Sequence, residues 1–198
     1  MKKLIEIKKG EQIIIRHIEE SDIDGVWNNF NEVIEEAIYL PVLFPVRSQF
    51  EKHTWFNSLQ RENEICIVAV HPELKDPLNI LGQCEVSNSE WDAATHIGKL
   101  GVIVNSDFRN MGIGYHLIDF AIRESKRINK KEKITLSTFT ENKRALHLYK
   151  KMGFRNVGIR RKQFYMNSKY YDEVLMELWI EDYLKKNDNL YGNRVRFS

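Results

Sequence analysis

Apolar residues along this chain follow two different periods. Short continuous runs rich in Ile and Val are typical of buried strands, whereas apolar residues that recur every three or four positions are typical of a helix with one buried face. The first pattern predicts about seven strands, at residues 12–18, 65–70, 80–86, 97–105, 134–139, 157–164 and 171–179. The second predicts about four helices, at residues 20–36, 48–62, 112–129 and 142–152. Strands and helices therefore alternate, which indicates an α/β (α+β) fold.

Cap and turn residues delimit several of these elements. Ser48, followed three positions later by Glu51, is a helix-start signal, and Gly153 is a helix-stop signal. Two prolines within residues 39–45 exclude a regular helix there, so this segment is predicted to be a loop. Residues 167–169 form the predicted turn between the last two strands.

The chain of 198 residues contains no internal repeat, low-complexity stretch or linker that would divide it. One domain is therefore expected over residues 1–198, with its core at about residues 11–183. The first ten residues mix Lys and Glu with isolated Ile and lack the apolar run of a signal peptide. The tail at residues 185–198 is polar and has no apolar period, so it could be mobile or could dock on the core.

Composition and charge exclude several classes of protein. Lys and Arg number 30 and Asp and Glu 28, spread along the chain, so no basic stripe predicts nucleic-acid binding. No stretch approaches the roughly 20 apolar residues of a membrane span, and a cytoplasmic location is expected. Cys66 and Cys84 each lie inside an apolar run rather than in a paired motif, which predicts reduced core cysteines and neither a disulfide nor a metal site.

Residues 100–115 contain the arrangement that most directly indicates chemistry. A buried strand runs into Arg109, Gly112 and Gly114 and then directly into a helix. Glycines permit close backbone approach, and the free N–H groups and dipole at the helix start favour an anion such as a pyrophosphate, to which Arg109 would add a permanent charge. A plain strand-to-helix turn, in which the glycines only relieve strain, is the alternative. No Lys-Ser/Thr pair follows as a P-loop requires, and Leu117 replaces the third glycine of a dinucleotide fingerprint.

Two stretches of the chain resemble the GNAT superfamily of acetyltransferases. The Q/R-x-x-G-x-G/A signature of that family is present as Arg109, Asn110, Met111, Gly112, Ile113 and Gly114. The second stretch, residues 134–154, resembles the strand and the helix with Asn and Tyr that end in a Gly-Phe pair in the family. The overall layout is similar over about residues 11–183, whereas the specific motifs lie within residues 97–154.

The resemblance implies a mixed, mostly antiparallel central sheet that splays between the fourth and fifth predicted strands. The pantetheine arm of acetyl-CoA would lie in that gap beside Val102, Ile103 and Val104, and residues 109–114 would hold its pyrophosphate. Gly101, within the fourth predicted strand, could mark a bulge or a close approach of backbones.

The resemblance also assigns roles to two side chains of the last helix. Asn142 would contact the cofactor, and Tyr149 would donate a proton to the leaving thiolate. The two residues are seven positions apart and therefore share one helix face. From the residues alone, Asn142 also fits a helix cap and Tyr149 also fits a core aromatic.

An amine acceptor would need a base, because an alkyl amine with a pKa of about 10 is protonated at neutral pH. The family often places a carboxylate on the fourth or adjacent strand, yet residues 97–104 contain no acid. Glu85 on the third predicted strand is the first candidate, with His96 and Glu90 behind it, although each could be a surface residue. A backbone N–H of residues 102–104 would polarise the thioester carbonyl.

The expected reaction is acetyl transfer from acetyl-CoA to a small amine, a polyamine, an amino acid or a protein N-terminus, by direct attack in a ternary complex. Residues 39–45 and the hairpin around Tyr165 and Tyr171 would border the acceptor, although core packing also explains these aromatic residues. A non-catalytic acyl-CoA sensor is the alternative, and a protein-binding or nucleic-acid-binding domain has little support. The final strands and the tail could form a homodimer contact.

Overall fold

The computed structural model describes residues 2–7 and 10–192. Within these residues the strands are β1 Lys2–Glu6, β2 Gln12–His17, β3 Ile65–Val70, β4 Ile80–Asn88, β5 Ile97–Val104, β6 Lys133–Phe139, β7 Arg155–Met166 and β8 Lys169–Trp179. The α-helices are α1 Ile23–Glu35, α2 Gln49–Arg61, α3 Ile113–Asn129, α4 Lys143–Met152 and α5 Ile180–Gly192.

All eight strands form one sheet, in the order β1-β2-β3-β4-β5-β6-β8-β7. Every neighbouring pair is antiparallel except β5 and β6, which are parallel. Helix α3 packs on one face of the sheet against β3, β4 and β5, whereas α1 packs against β4 and β5 and carries α2 beside it. The predicted mixed, mostly antiparallel sheet is confirmed.

The local signals in the sequence explain most of these elements. All six residues of β3, Ile65–Val70, are buried, because this central strand is covered by helices on both faces. The Ser48 hydroxyl accepts a hydrogen bond from the Glu51 N–H at 3.4 Å and caps α2. Gly153 ends α4 with a φ of +103°, which confirms the predicted stop.

The separation of β5 from β6 is the feature that creates the site. The two strands pair only at Ile97 with Lys133, Gly98 with Ile134, and Lys99 with Thr135. Both strands continue beyond these pairs, so the sheet opens between them, as the resemblance implied. Neither alternative for Gly101 is observed: the register between β4 and β5 is continuous through this residue, which excludes a bulge there, and a Cβ built on it would meet no atom within 4 Å.

The structure has elements at both ends of the chain that the sequence pattern missed. Strand β1 pairs with β2 at the sheet edge and buries Ile5, but its alternation is short and interrupted by charges. Helix α5 covers the first part of the tail, in which the sequence shows no apolar period and which was expected to be either mobile or docked on the core. The Tyr183 hydroxyl of α5 donates a hydrogen bond to the buried Asp119 Oδ1 of α3 at 2.9 Å, and this contact fixes the helix. Residues 193–198 of the predicted tail lie outside the described residues.

The described residues include both cysteines and the candidate ligands and helices that a metal site or a membrane span would need. Cys66 and Cys84 are buried free thiols, and burial raises the pKa of each. Over residues 2–7 and 10–192, no three His, Cys, Asp or Glu side chains are grouped as a metal ion requires. None of the helices in that part of the chain is long and apolar enough to cross a membrane.

Candidate active site

A groove of about 670 Å³ lies where β5 and β6 separate. One wall is formed by β5 and the loop that leads into α3, and the other by the end of β6 and by α4. Tyr39 and Leu40, from the connection between α1 and α2, border the same groove. The groove therefore runs along a strand edge toward a helix N-terminus.

The strand edge exposes backbone groups to the groove. The Asn105 N–H donates to the Leu81 carbonyl at 2.9 Å across β4 and β5. Hydrogen-bonded pairs alternate along an antiparallel ladder, so the backbone groups of Val102 and Val104 point away from β4, toward the gap. An extended ligand with amide groups could pair with them as an added strand would. The backbone of Ile103 bonds to β4 instead, although this residue also borders the groove.

The loop before α3 presents N–H groups to the same groove. Asn110 and Gly112 have φ values of +65° and +95°, and this left-handed backbone turns successive N–H groups toward one side. The N–H groups of Ile113 and Gly114 lie in the first turn of α3 and have no acceptor within the helix. Gly114 also permits close packing, since a Cβ there would lie 3.3 Å from Leu148 Cδ2. This loop, which also contains Met111, can hold an anion.

The Arg109 side chain is held by protein groups rather than left open for a ligand. Its Nη atoms donate to both carboxylate oxygens of Glu36, one of them at 2.6 Å, and its Nε donates to the Val104 carbonyl at 2.8 Å. The guanidinium carbon lies 4.8 Å from the centre of the Tyr39 ring. Arg109 therefore ties the loop before α3 to the end of α1, a contact that sequence spacing did not indicate.

Asn142 and Tyr149 both line the groove on α4. Asn142 Oδ1 accepts from the Ala145 N–H at 3.2 Å, so this residue is also the helix cap that the residues alone suggested. The Tyr149 ring is buried beside Phe154, and its hydroxyl has no hydrogen-bond partner among the residues that the structure describes. Burial raises the pKa of Tyr149, so the hydroxyl keeps its proton at neutral pH and can act as a donor.

Glu85 lies on the other face of the sheet, one strand away from the groove. It is opposite Gly101 of β5, which itself lines the groove. Its Oε2 accepts a hydrogen bond from Trp55 Nε1 of α2 at 3.3 Å. Burial raises the pKa of Glu85 from its ordinary value of 4.5 to about 7, which is suited to a group that gains and loses a proton near neutral pH.

The two reserve candidates for a base occupy different surroundings. Glu90 is exposed and lies 3.8 Å from the Lys99 ammonium. His96 is exposed at the start of β5, and neither residue borders the groove. Of the three candidates, Glu85 alone is next to the groove.

The predicted acceptor segments approach the groove unequally. The guanidinium carbons of Arg109 and Arg144 lie 4.8 and 5.6 Å from the centre of the Tyr39 ring. Tyr171 packs against Phe139 at 5.3 Å, whereas Tyr165 is exposed and contacts Tyr170. The sequence did not identify Glu36, Trp55 or Arg144 as neighbours of the site. Glu36 and Trp55 reach it through tertiary contacts, whereas Arg144 lies on α4, two positions after Asn142.

An open strand edge that leads to an anion-holding loop, in a sheet of this order, defines an acyl-CoA-dependent acyltransferase fold. Residues 31–154 match the model of the acetyltransferase (GNAT) family. The chain therefore belongs to this family: it is an acyl-CoA-dependent N-acyltransferase, and acetyl-CoA is its cofactor.

Known relatives agree with this assignment. The chain is 30% identical over 180 residues to the spermidine N(1)-acetyltransferase of Vibrio cholerae, with 90% of this chain and 99% of that protein covered. It is 24% identical over 170 residues to the L-amino acid N-acetyltransferase AaaT of Escherichia coli K12, with 83% and 96% covered. Its fold matches the phosphinothricin acetyltransferase of Sinorhizobium meliloti, solved in complex with acetyl-CoA, with a TM-score of 0.73 at 14% identity and with 83% and 86% covered.

Replacing Glu85 by Gln should stabilise the protein at alkaline pH. The folded state raises the pKa of Glu85 from 4.5 to about 7, so the stability that its protonated form contributes is complete below pH 4.5 and is lost as pH rises through 7. Gln stays neutral and still accepts from Trp55. We expect Glu85→Gln to raise the free energy of unfolding by on the order of 2 kcal/mol at pH 8 and to change it little at pH 4.5.

Urea unfolding at the two pH values measures this difference. The matched control is Glu90→Gln, which removes an exposed carboxylate from the adjoining turn and should leave stability unchanged. Equal stability of Glu85→Gln and the wild type at pH 8 would show that burial does not destabilise the charged carboxylate of Glu85.

Proposed function

We propose that this acetyltransferase transfers the acetyl group to a primary amine by direct attack in a ternary complex. The observation that carries the proposal is the juxtaposition of Glu85 and Tyr149 around one short segment of β5. Glu85 borders Gly101 from one face, and Tyr149 lines the groove on the other side. The relatives named for spermidine and for L-amino acids act on primary amines, which is consistent with this acceptor class.

The residues of the groove fit the cofactor that the family uses. The backbone N–H and C=O of Val102 and the N–H of Val104 suit the amides of a pantetheine arm, and the left-handed loop suits a pyrophosphate. Asn142 has one N–H beyond its bonds to Ala145 and Thr138 with which to contact the arm. The proposed cofactor-binding residues are thus Val102, Ile103, Val104, Asn110, Met111, Gly112, Ile113, Gly114 and Asn142, and Arg109 takes part by holding their loop through its ion pair with Glu36. When bound, acetyl-CoA supplies a thioester carbonyl that an amine can attack.

Glu85 is the proposed base. Its raised pKa means that the carboxylate becomes available as pH rises through about 7, and a carboxylate with so high a pKa accepts a proton more readily than an exposed one. Among the described residues no cation pairs with Glu85, so the proton of an ammonium acceptor meets no competing charge. The carboxylate can take that proton directly or through a water molecule.

Tyr149 is the proposed general acid, and the Val102 N–H is the proposed hydrogen-bond donor to the carbonyl oxygen. The Tyr149 hydroxyl carries a proton and has no acceptor among the described residues, so it is free to protonate a departing thiolate. The Val102 N–H points into the gap between β5 and β6, where it can stabilise negative charge that develops on a carbonyl oxygen. These steps need no covalent intermediate on the protein.

Calorimetric titration with acetyl-CoA, together with thiol release over monoamines, polyamines, amino acids and N-terminal peptides, tests the function. We expect binding, and release of one thiol for each amine acetylated. Binding without release on any amine would support the sensor interpretation. Absence of binding would contradict the proposed cofactor site.

Tyr149→Phe should lower turnover without weakening the binding of acetyl-CoA. Phe keeps the packing against Phe154 and removes only the hydroxyl proton, so we expect kcat to fall by about 100-fold. The dissociation constant for acetyl-CoA, measured by calorimetry, should stay within about twofold, because the ring surface is unchanged. Unchanged kcat would remove Tyr149 from the mechanism.

Arg109→Ala and Glu36→Ala should each weaken acetyl-CoA binding. The bidentate pair holds the loop before α3, and losing either partner should free that loop and cost about tenfold in affinity. Because the two side chains act as one contact, the double variant should bind no worse than the weaker single variant. Calorimetry measures all three. Tighter binding in Glu36→Ala would instead mean that this carboxylate competes with phosphate for the guanidinium.

A further inference from the structure

Gly101 is a glycine that neither packing nor backbone conformation requires. Its φ does not lie in the left-handed region that favours glycine, and a Cβ built on it meets no atom within 4 Å. The other glycine of β5 differs, since a Cβ on Gly98 would lie 2.5 Å from Val86 Cγ1. The neighbouring glycine of β4 differs too, since a Cβ on Gly82 would lie 2.7 Å from the Ile103 carbonyl oxygen. Gly101 therefore borders a space that the protein leaves open.

Glu85 is on the same side of the sheet as this space. Glu85 and Gly101 are directly opposite each other in the antiparallel register, so their side-chain directions share one face. The Glu85 carboxylate has one neutral donor, Trp55, and no cationic partner among the described residues. Lys99 is on the same face of β5, and its ammonium lies 3.8 Å from Glu90. A carboxylate beside open space without its own counter-charge suits a cationic ligand.

Aromatic rings adjoin the Glu85 carboxylate. Trp55 contacts Trp27 edge to face, with ring centres 5.2 Å apart, and Trp27 contacts Phe30 in the same way at 5.2 Å. All three side chains are only partly buried. Indole rings bind both alkyl chains and ammonium groups favourably, whereas an anionic group gains nothing from the face of the ring.

We propose that the space beside Gly101 is the approach path of the acceptor, and that it selects a primary alkylammonium with Glu85 as counter-charge and Trp55 against its alkyl chain. This inference rests on the proposed function and narrows its acceptor class. An α-amino acid would bring a carboxylate close to Glu85, where Lys99 is the only cation named on this face of β5 and faces Glu90. Alkyl monoamines and polyamines are therefore preferred over amino acids.

The test substitutions add carbon atoms to the open space beside Gly101 and leave the backbone groups of Val102 and Val104 in place. Gly101→Ala and Gly101→Val add one and three carbons at a position where the structure has room, so folding should be preserved. Gly158→Ala is the matched control, because a Cβ there also meets nothing within 4 Å, and it lies on β7, away from the groove. The probes are n-butylamine and L-norvaline, which share a short alkyl chain and differ in the α-carboxylate.

Thiol release with n-butylamine should separate these variants. We expect Gly101→Ala to lower kcat/KM by about tenfold and Gly101→Val to lower it further, because each added carbon occupies the acceptor's path. Gly158→Ala should match the wild type, and calorimetric affinity for acetyl-CoA should be unchanged in all of them. Trp55→Phe should raise KM for n-butylamine more than it lowers kcat, and L-norvaline should be the poorer substrate. Wild-type kinetics in Gly101→Val, or preference for L-norvaline, would overturn the inference.

A binding measurement keeps this inference separate from the reaction itself. Tryptophan fluorescence of the protein with bound coenzyme A should change saturably on titration with n-butylamine, because the amine lies against Trp55. The change should be lost in Gly101→Val and kept in Gly158→Ala. If the wild type releases no thiol with any amine, the proposed reaction fails while this titration still decides the binding site. Absence of a saturable change in the wild type would overturn the site.

Discussion

The loss of pairing between β5 and β6 after Lys99 and Thr135 is the constraint on which the site depends. Backbone N–H and C=O groups are costly to leave without partners, so an open strand edge inside a sheet is tolerated where a ligand or water can bond to it. The β4 side of β5 is fully paired, so the unpaired groups all point into the gap. Because β5 leads directly into the loop before α3, the same opening places an edge for amides next to a helix start for an anion. One interruption in the sheet thus accounts for the whole groove.

The sheet also separates the two substrates in the proposed reaction. The groove that fits the cofactor continues onto α3 and α4, whereas Glu85 and Trp55 lie under α1 and α2 on the opposite face. The two faces come together at Gly101, where β5 carries no side chain. In the proposed reaction, a carboxylate on one face can then take the proton of the amine while a hydroxyl on the other protonates the leaving sulfur, without the two groups contacting each other. Arg109 and Glu36 join the two sides mechanically, because their ion pair connects the loop before α3 with the end of α1.

Burial determines the protonation behaviour of the proposed base and of the proposed acid. Partial burial of Glu85 destabilises its charged form and raises its pKa to about 7. The pKa of Tyr149 is raised for the same reason, so the hydroxyl stays protonated. Both raised pKa values mean that the folded state favours the neutral form of the side chain. Ionisation of Glu85 therefore lowers the free energy of unfolding. The burial that would make Glu85 a good base also destabilises the folded protein when this carboxylate is charged.

The sequence by itself determined the order of the elements from β2 to β8 and the strand, loop and helix that surround Arg109 and Gly112, because these depend on local periodicity and turn residues. It also placed Asn142 and Tyr149 on one helix face, since residues seven apart share a face. It missed β1, because a short edge strand with charges has little apolar signal, and α5, whose contact with Asp119 is made through a distant helix. Only the tertiary structure decided that Arg109 is bound to Glu36, that Trp55 reaches Glu85, and that Gly101 borders open space. These are contacts between segments far apart in the chain, and packing in three dimensions, rather than any local pattern, brings them together.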